Sequence, residues 1–302
     1  MSSQVESPEI MPEPVRSAFG QAEVALTACE SRIEAVNRGP EGRQFAESLE
    51  RRLRRERSRV LSLDIFDTLL LRNDVCEARR YLDLSIRISQ ALAAAHLGEI
   101  SPLDLYITRC EALEFGYRTS APVEGCVEGR IEEVLANQVR NLGLPGTAMD
   151  ILLREEISYE SSVLAPNLPL IEVARNFSLD GGTVILLSDM YLSGIVLGHL
   201  IQSVAGDLSF VERLYSSADV VRNKRSGTIY PWLQAQLEIH ADRFLHVGDN
   251  LVSDYQRPIE AGWKAMHFPV SKAELIRRQQ SLCHFLAEMD GEGLDFSRWA
   301  KM

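Results

Sequence analysis

The residues of this chain that could carry chemistry begin with an aspartate and a threonine that follow one short apolar segment. The segment LSLDIFDTLL, residues 61–70, places Asp64 directly after the apolar run and Thr68 four residues later. An apolar run that follows a charged stretch predicts a buried strand over Val60–Leu63. Parallel α/β sheets bind their ligands at the carboxyl ends of their strands, so we expect Asp64 to lie at a ligand-binding edge.

Three downstream segments supply polar partners for this aspartate. Each follows a predicted strand or opens a predicted helix, and in chain order they read VILLSDM at 184–190, KRSGTIY at 224–230 and FLHVGDNLVSD at 244–254. Any one of them alone could be a helix cap or a turn. Together and in this order, the four segments resemble the motifs of the haloacid-dehalogenase-like (HAD) hydrolase superfamily, whose members are mostly Mg-dependent phosphatases and phosphotransferases.

The resemblance implies a nucleophile and a metal site. The first aspartate of the superfamily attacks the substrate, which implies that Asp64 attacks phosphorus and forms an aspartyl-phosphate. Because two anions meet in that step, a cation is needed. The implied Mg²⁺ site is hard and lined by oxygen, and its ligands are the carboxylates of Asp64, Asp249 and Asp254 and the backbone carbonyl of Phe66.

The resemblance also implies contacts to the transferring group. Ser188 and Lys224 would bind the phosphoryl oxygens, neutralise their charge and hold the group in line with the nucleophile. Thr68 would steady the nucleophile loop. Asp189 and Arg72 are weaker candidates for contacts with the substrate.

Lysine usage makes the match at Lys224 harder to attribute to chance. The chain contains 28 Arg but only 4 Lys, and Lys224 is the first lysine in the sequence. The two side chains are not interchangeable, because lysine carries a compact ammonium and arginine a planar fork. A chain that uses arginine almost everywhere has a lysine where the superfamily needs the ammonium.

The first motif departs from the phosphatase pattern at one position. Phosphatases of the superfamily carry a second aspartate two residues after the nucleophile. It protonates the leaving group and activates water, work worth roughly 10²–10⁴-fold in rate. Here that position is Phe66, and Asp67 stands one residue further on, where we expect it to point away from the pocket. The departure argues against an efficient, broad phosphomonoesterase.

Three functions fit these motifs. The first is a Mg²⁺-dependent hydrolase or phosphotransferase for a small phosphorylated metabolite. The DIFDT-type sequence resembles uncharacterised bacterial members associated with surface-polysaccharide genes, which suggests a sugar phosphate by analogy. The second is a phospholigand-binding or regulatory module with little turnover, favoured by the missing acid and a charged N-terminal arm. The third is a dehalogenase-like hydrolase, suggested by Phe66, although those enzymes need no metal and this chain keeps Asp249 and Asp254.

The elements that must position these residues alternate between strands and helices. Apolar runs predict five strands, over Val60–Leu63, Thr183–Leu187, Val211–Tyr215, Phe244–Val247 and Lys264–Phe268. Helical patterns separate the last four, which implies an α/β fold with a Rossmann-like parallel sheet covered by helices on both faces. Between the first two strands the patterns are wholly helical, and the resemblance makes this insertion an all-α cap.

The predicted domains follow from these elements. Residues 60–70 and 166–270 form the α/β core, and residues 71–165 form the helical cap, which contains no predicted strand. Residues 1–59 form an N-terminal arm, disordered through the first fifteen residues and then helical, first over about 15–36 and again from about 43. Its arginine run at 51–59 is expected to be a solvated helix face, with an anion-binding or partner patch as the alternative. Residues 271–302 form a C-terminal helix and tail.

The bulk composition narrows the functional class. The net charge is −11 and the pI about 5.1, whereas general nucleic-acid binders are more often basic. We find neither a secretory signal nor an apolar run near the roughly 20 residues of a membrane span. Five scattered cysteines suggest a reducing compartment, so we expect a cytoplasmic protein. The expected partner is a small phosphorylated substrate. A protein partner or self-association through the N-terminal arm stays open.

Overall fold

We analysed a computed structural model, which describes residues 20–300. The predicted disorder of the first fifteen residues lies outside this part of the chain. Seven strands are present in it, and in chain order they are β1 (Val60–Asp64), β2 (Leu70–Arg72), β3 (Leu164–Pro166), β4 (Thr183–Ser188), β5 (Val211–Ser216), β6 (Phe244–Gly248) and β7 (Lys264–His267). The five predicted strands are all confirmed, each within a residue of its expected ends.

Helices precede, separate and follow these strands. The first seven are α1 (Gln21–Ala28), α2 (Arg32–Asn37), α3 (Pro40–Arg55), α4 (Glu77–Ala94), α5 (Pro102–Thr119), α6 (Ile131–Asn141) and α7 (Ala148–Val163). The next six are α8 (Leu168–Leu179), α9 (Gly194–Ala205), α10 (Ser217–Val220), α11 (Ile229–Leu237), α12 (Arg257–Glu260) and α13 (Lys272–Gly291). The start of α5 is capped, since the Ser101 hydroxyl accepts a hydrogen bond from the Leu103 N–H at 3.2 Å and Pro102 occupies the first helical position.

The core sheet is wholly parallel, and β1 lies at its centre. The strand order is β5-β4-β1-β6-β7, as expected for α/β alternation. In the register of the sheet, Asp64 pairs with Leu187 and Leu63 pairs with Val247. The carboxyl ends of the three central strands therefore lie side by side, and the loops that follow them meet at one edge.

The insertion after the first motif is helical, but the expectation that it contains no strand was wrong. Strands β2 and β3 bracket α4–α7 and pair with each other antiparallel, with Leu71 opposite Ala165. The chain enters and leaves the insertion along adjacent paths, so the backbone groups of these two short segments pair with each other. Strands of three residues are too short to show an alternating pattern, which is why the sequence did not reveal them.

The N-terminal arm packs against the core. One helix is predicted over residues 15–36. The described part of this range forms two helices, α1 and α2, because residues 29–31 are not helical. In α3, Phe45, Leu49 and Leu53 recur every four residues and are all buried in the main hydrophobic cluster. The arginines at the end of α3 point mostly to solvent, as expected for a charged helix face.

Across residues 20–300, no helix has both the length and the apolar character that a transmembrane helix requires.

Candidate active site

The first motif forms a tight turn directly after β1. Asp64 is the last residue of β1, and its side chain is largely buried. Two backbone hydrogen bonds close the turn: the Asp67 N–H donates to the Leu70 carbonyl at 2.7 Å and the Leu70 N–H to the Ile65 carbonyl at 2.8 Å. Asp67 adopts the left-handed region with a φ of 59°, which aspartate tolerates better than most residues.

The fourth motif brings two more carboxylates to the same edge. After β6, residues 251–256 form one π-helical turn, and the Asn250 side chain caps it by accepting from the N–H groups of Val252 and Ser253 at 3.0 and 2.9 Å. Asp254 therefore folds back over Gly248, where an added Cβ would lie 2.4 Å from the Asp254 Cγ. Only glycine permits this approach. The helical segment predicted between β6 and β7 therefore begins with this π-helical turn.

Three carboxylates converge at this edge. One oxygen from each of Asp64, Asp249 and Asp254 lies within 4.8 Å of the other two. Asp64 and Asp254 are buried, whereas Asp249 is partly exposed. Carboxylate oxygens are the ligands that Mg²⁺ prefers, and a divalent cation would relieve their mutual repulsion. The donor set fits the metal that the resemblance implies, with the Phe66 carbonyl as the fourth expected ligand.

Lys224 lies inside this acidic cluster. Its Nζ donates to Asp64 Oδ1 at 2.5 Å and to Asp254 Oδ1 at 2.6 Å, and only 3% of its side chain is exposed. Asp189 fixes the backbone of Lys224, because its carboxylate accepts hydrogen bonds from the backbone N–H of Lys224 at 2.8 Å and from that of Arg225 at 3.1 Å. Asp189 thus contacts the backbone of the third motif.

The pKa directions follow from burial and from the lysine. Burial raises the pKa of Asp64 to about 7, despite the opposing effect of Lys224. Burial, reinforced by Asp64, also raises the pKa of Asp249 well above its usual range. For Asp254, Lys224 and His246 outweigh burial and lower the pKa. Burial would lower the pKa of Lys224, but its carboxylate neighbours raise it well above the usual value. Lys224 is therefore a fixed positive charge at neutral pH.

His246 belongs to this site as well as to the core. It is fully buried, its Nε2 lies 3.1 Å from Asp254 Oδ1 and its Nδ1 lies 2.8 Å from the Ser62 hydroxyl. It is hydrogen-bonded in the core, and at the same time it orients a predicted metal ligand. The available sequence signal was a pair of polar residues in adjacent apolar strands, since Ser62 and His246 are register partners.

The position of the missing acid is filled by a stacked pair. Phe66 is 7% exposed, and the guanidinium carbon of Arg72 lies 4.2 Å from the centre of its ring. The carboxylate of Asp67 contacts Arg32 and also Arg278, at 2.8 and 3.1 Å. These arginines outweigh burial and hold the pKa of Asp67 well below its usual range. Asp67 is therefore ionised and engaged, which makes it a poor proton donor.

Each of the remaining predicted residues ends a strand or lies in the turn of the first motif. Ser188 ends β4 and is 1% exposed. Thr68 is fully buried, and its carbonyl accepts from the Asn167 side chain at 2.8 Å. Arg72 ends β2, where the chain enters the insertion.

The insertion contacts the loops of the second and third motifs. Glu128, between α5 and α6, accepts from the Ser217 hydroxyl and from the Asn223 side chain, both at 2.7 Å. The Ile131 N–H donates to the Tyr191 carbonyl at 2.7 Å. The insertion therefore contacts the core at the edge of the sheet that carries the motifs.

Comparison with known proteins gives distant structural likenesses. No family model and no curated protein matches the chain. It is similar to a HAD-family enzyme from Bacteroides thetaiotaomicron in complex with magnesium and inorganic phosphate, with 12% identity over 70% of this chain and 93% of that one, at a TM-score of 0.44. It is also similar to L-2-haloacid dehalogenase from Xanthobacter autotrophicus, with 12% identity over 76% and 83% of the two chains, at a TM-score of 0.43.

A third similar structure is a putative HAD-hydrolase from Bacillus subtilis bound to magnesium. It has 14% identity over 76% of this chain and 99% of that one, at a TM-score of 0.42. The chain itself supplies the parallel sheet with β1 at its centre and the four motifs at one edge. The chain resembles these HAD-family structures in its fold, a parallel sheet flanked by helices, as its sequence predicted.

Proposed function

We propose that this chain is a Mg²⁺-dependent hydrolase or phosphotransferase of the HAD type, acting on a small phosphorylated metabolite through an aspartyl-phosphate on Asp64. The observation that carries the proposal is the convergence of Asp64, Asp249 and Asp254, the first and last of which bind the buried ammonium of Lys224. Three carboxylates and one lysine at the carboxyl edge of a parallel sheet suit a metal ion and a phosphoryl group together.

The chain's own residues would divide the chemistry as follows. Bound Mg²⁺, held by the three carboxylates and the Phe66 carbonyl, would supply positive charge that lets two anions meet. A carboxylate oxygen of Asp64 attacks phosphorus while the bond from phosphorus to the leaving oxygen breaks. Lys224 and Ser188 hold the phosphoryl oxygens during this transfer. Water, or an acceptor hydroxyl, then attacks the same phosphorus and frees Asp64.

No acid stands where the superfamily's phosphatases place their proton donor. Phe66 cannot donate a proton to the leaving oxygen, and the carboxylate of Asp67 is engaged by arginines. The leaving group must therefore take its proton from water or depart as an anion. This favours substrates whose leaving groups are stable as anions and transfer reactions that tolerate slow hydrolysis.

The same observation supports a second candidate function. A site that keeps its metal ligands and its lysine but lacks a proton donor would suit a module that holds a phosphorylated ligand or partner with little turnover. The stacking of Arg72 on Phe66 favours this candidate, since it occupies the acid position with a packed pair. The dehalogenase-like alternative is disfavoured by the retained acidic cluster, because those enzymes need no metal.

We further propose that the helices of residues 71–165 act as a cap that closes over Asp64, hinged near residues 71–73 and 165–168. The contacts of Glu128 and Ile131 with the second and third motif loops support this role. Closure would exclude water and restrict the site to small substrates. A radius of gyration that falls on addition of Mg²⁺ and inorganic phosphate, measured by small-angle scattering, would support closure, and an unchanged value would count against it.

We also propose a cytoplasmic location. The five cysteines are scattered along the sequence in no pattern of a disulfide framework, which suits a reducing compartment. A partner of α3 would bind its charged outer face, because Phe45, Leu49 and Leu53 are buried against the core.

The deciding experiment measures phosphate release from p-nitrophenyl phosphate, whose leaving group needs no protonation, with Mg²⁺ and with EDTA. We expect turnover with Mg²⁺ only, and none in Asp64→Asn. Asp207→Asn, in an exposed loop, is the control and should retain activity. A panel of phosphorylated metabolites then identifies the substrate. Binding of a panel member without turnover favours the second candidate. Metal-independent turnover, or an active Asp64→Asn, would remove the proposed mechanism.

A further inference from the structure

The nucleophile loop, residues 64–70, is bound by one arginine from the N-terminal arm and by one from the C-terminal helix. We propose that Arg32 at the start of α2 and Arg278 in α13 are positioning residues, which fix the backbone between Asp64 and Thr68 by binding Asp67. This inference rests on the proposed function for its catalytic consequence. It assigns a role to the N-terminal arm and to the C-terminal helix, neither of which contains one of the predicted metal ligands.

Arg32 binds both the backbone and the side chain of Asp67. Its Nη1 donates to the Asp67 carbonyl at 2.7 Å, and its Nη2 donates to Asp67 Oδ1. The Arg32 side chain is completely buried. A buried guanidinium with donors in a fixed fork defines the position of the group it binds more tightly than a single ammonium does.

Arg278 reaches the same carboxylate from the opposite end of the chain. Its two terminal nitrogens lie 2.8 Å from Oδ1 and 3.1 Å from Oδ2 of Asp67. Glu274 joins the two arginines, because it accepts from Arg32 at 3.1 Å and from Arg278 at 2.6 Å. The cluster therefore fixes both arginines relative to each other as well as to the loop.

The loop requires such support for a conformational reason. Asp67 is held at a φ of 59°, a region that costs energy for a residue with a side chain. It stands between Phe66, whose carbonyl is the expected metal ligand, and Thr68. A backbone rotation at Asp67 would move the Phe66 carbonyl and would also change the direction in which Asp64 meets the substrate. Displacements of about 1 Å at a reacting centre can cost about 10²-fold in rate.

The arm is also anchored by contacts that do not involve Arg32. The apolar residues of α3, Phe45 and Leu49 among them, hold the arm against the core. This separation makes the proposal testable with a conservative variant. Arg32→Lys keeps the charge but loses the fork. Arg52→Lys is the matched control, because Arg52 also lies in the arm and donates to a core carbonyl, that of Ala265 at 2.7 Å, without contacting the loop.

The first measurement is amide hydrogen exchange, which does not require activity. The Leu70 N–H, bonded to the Ile65 carbonyl, reports on closure of the turn. We expect its exchange to become at least tenfold faster in Arg32→Lys and in Arg278→Lys, and to be unchanged in Arg52→Lys. Unchanged exchange in both loop-contacting variants, or equal acceleration in the control, would overturn the positioning role of Arg32 and Arg278, whether or not the protein is an enzyme.

The second measurement is turnover of p-nitrophenyl phosphate. We expect kcat to fall about ten- to a hundredfold in Arg32→Lys, with KM changed less than threefold. The reason is that Arg32 and Arg278 position the reacting groups and do not contribute to substrate binding. Faster exchange with an unchanged kcat would overturn the positioning role. A wild-type protein that neither turns over phosphate esters nor responds to Mg²⁺ would refute the proposed function. The exchange measurement alone would then show whether Arg32 and Arg278 hold the loop in place.

Discussion

The ammonium nitrogen of Lys224 lies 2.5 Å from Oδ1 of Asp64 and 2.6 Å from Oδ1 of Asp254. One buried cation thus joins the expected nucleophile to an expected metal ligand. Because the carboxylates are close together, removing this cation leaves uncompensated negative charge in the site. The lysine therefore serves both stability and the proposed phosphoryl transfer.

Replacement of Lys224 by methionine should separate these two roles. We expect turnover to fall about 10²–10³-fold, the range for loss of one preorganised charge donor. We also expect the melting temperature to fall without metal and to rise more on addition of Mg²⁺ than in the wild type, because the metal then replaces the lost charge. Differential scanning fluorimetry measures both. Lys264→Met, at a lysine that donates to backbone carbonyls, is the control; a smaller Mg²⁺ effect in Lys224→Met than in the wild type would contradict this account.

The stabilisation that Mg²⁺ provides should grow as the pH rises. The folded-state pKa of Asp64 is about 7, whereas a carboxyl of the unfolded chain titrates near about 3.9. From about pH 4 to 7 the folded protein therefore holds a proton on Asp64 that the unfolded chain has released, so the contribution of Asp64 to stability without metal falls as pH rises. The raised pKa of Asp249 acts in the same direction. Mg²⁺ binds the deprotonated carboxylates, so the stabilisation it provides grows as pH rises through 7.

Melting temperatures in EDTA and in Mg²⁺, measured from pH 5 to 8, test this prediction. The wild-type difference between the two series should be small at pH 5 and largest at pH 8. Asp64→Asn should show a flatter EDTA series, because it removes one titrating carboxyl from the site. A Mg²⁺ effect of equal size at both ends of the pH range would count against metal binding at these carboxylates.

Phe66 should make turnover depend on the leaving group. We expect activated aryl phosphates to react and alkyl phosphates to be slow, since an alkoxide that receives no proton leaves poorly. Phe66→Asp restores the superfamily's acid and should raise alkyl-phosphate hydrolysis, up to about 10²-fold if the new carboxylate escapes pairing with Arg72. Phe66→Asn separates the effect of the acid from that of losing the ring. Wild-type alkyl-phosphate hydrolysis at ordinary enzymatic rates would mean that another group donates the proton.

His246 should control the placement of Asp254. His246→Phe removes the hydrogen-bond partner of the Ser62 hydroxyl and one of those of Asp254 Oδ1. We expect a loss of about 1–3 kcal/mol in the free energy of unfolding, as for other buried polar groups left unpaired. We also expect weaker Mg²⁺ affinity, because groups that orient metal ligands are often worth 10–100-fold in affinity. Urea denaturation and Mg²⁺ titration measure the two effects, and the exposed His199→Phe provides the comparison.

Much of the fold and of the acidic site could be predicted from local pattern. Short apolar runs such as Val60–Leu63 revealed the core strands, because burial on both faces of a parallel sheet requires continuous hydrophobic segments. The polar residues directly after these runs, Asp64 and Ser188 among them, had to meet at one edge, since parallel strands end side by side. The sequence by itself therefore determined the sheet and the residues at its carboxyl edge.

Only the tertiary structure decided the surroundings of those residues. Asp67 is bound by Arg32 and Arg278, which are 35 and 211 residues away along the chain, and no local period marks such contacts. His246 likewise gains its role from Ser62, 184 residues away in sequence and adjacent in the sheet. Hydrophobic periodicity records which face of an element is buried. The partner of a buried charge is set by packing between distant elements, and the chain must fold before that partner is fixed.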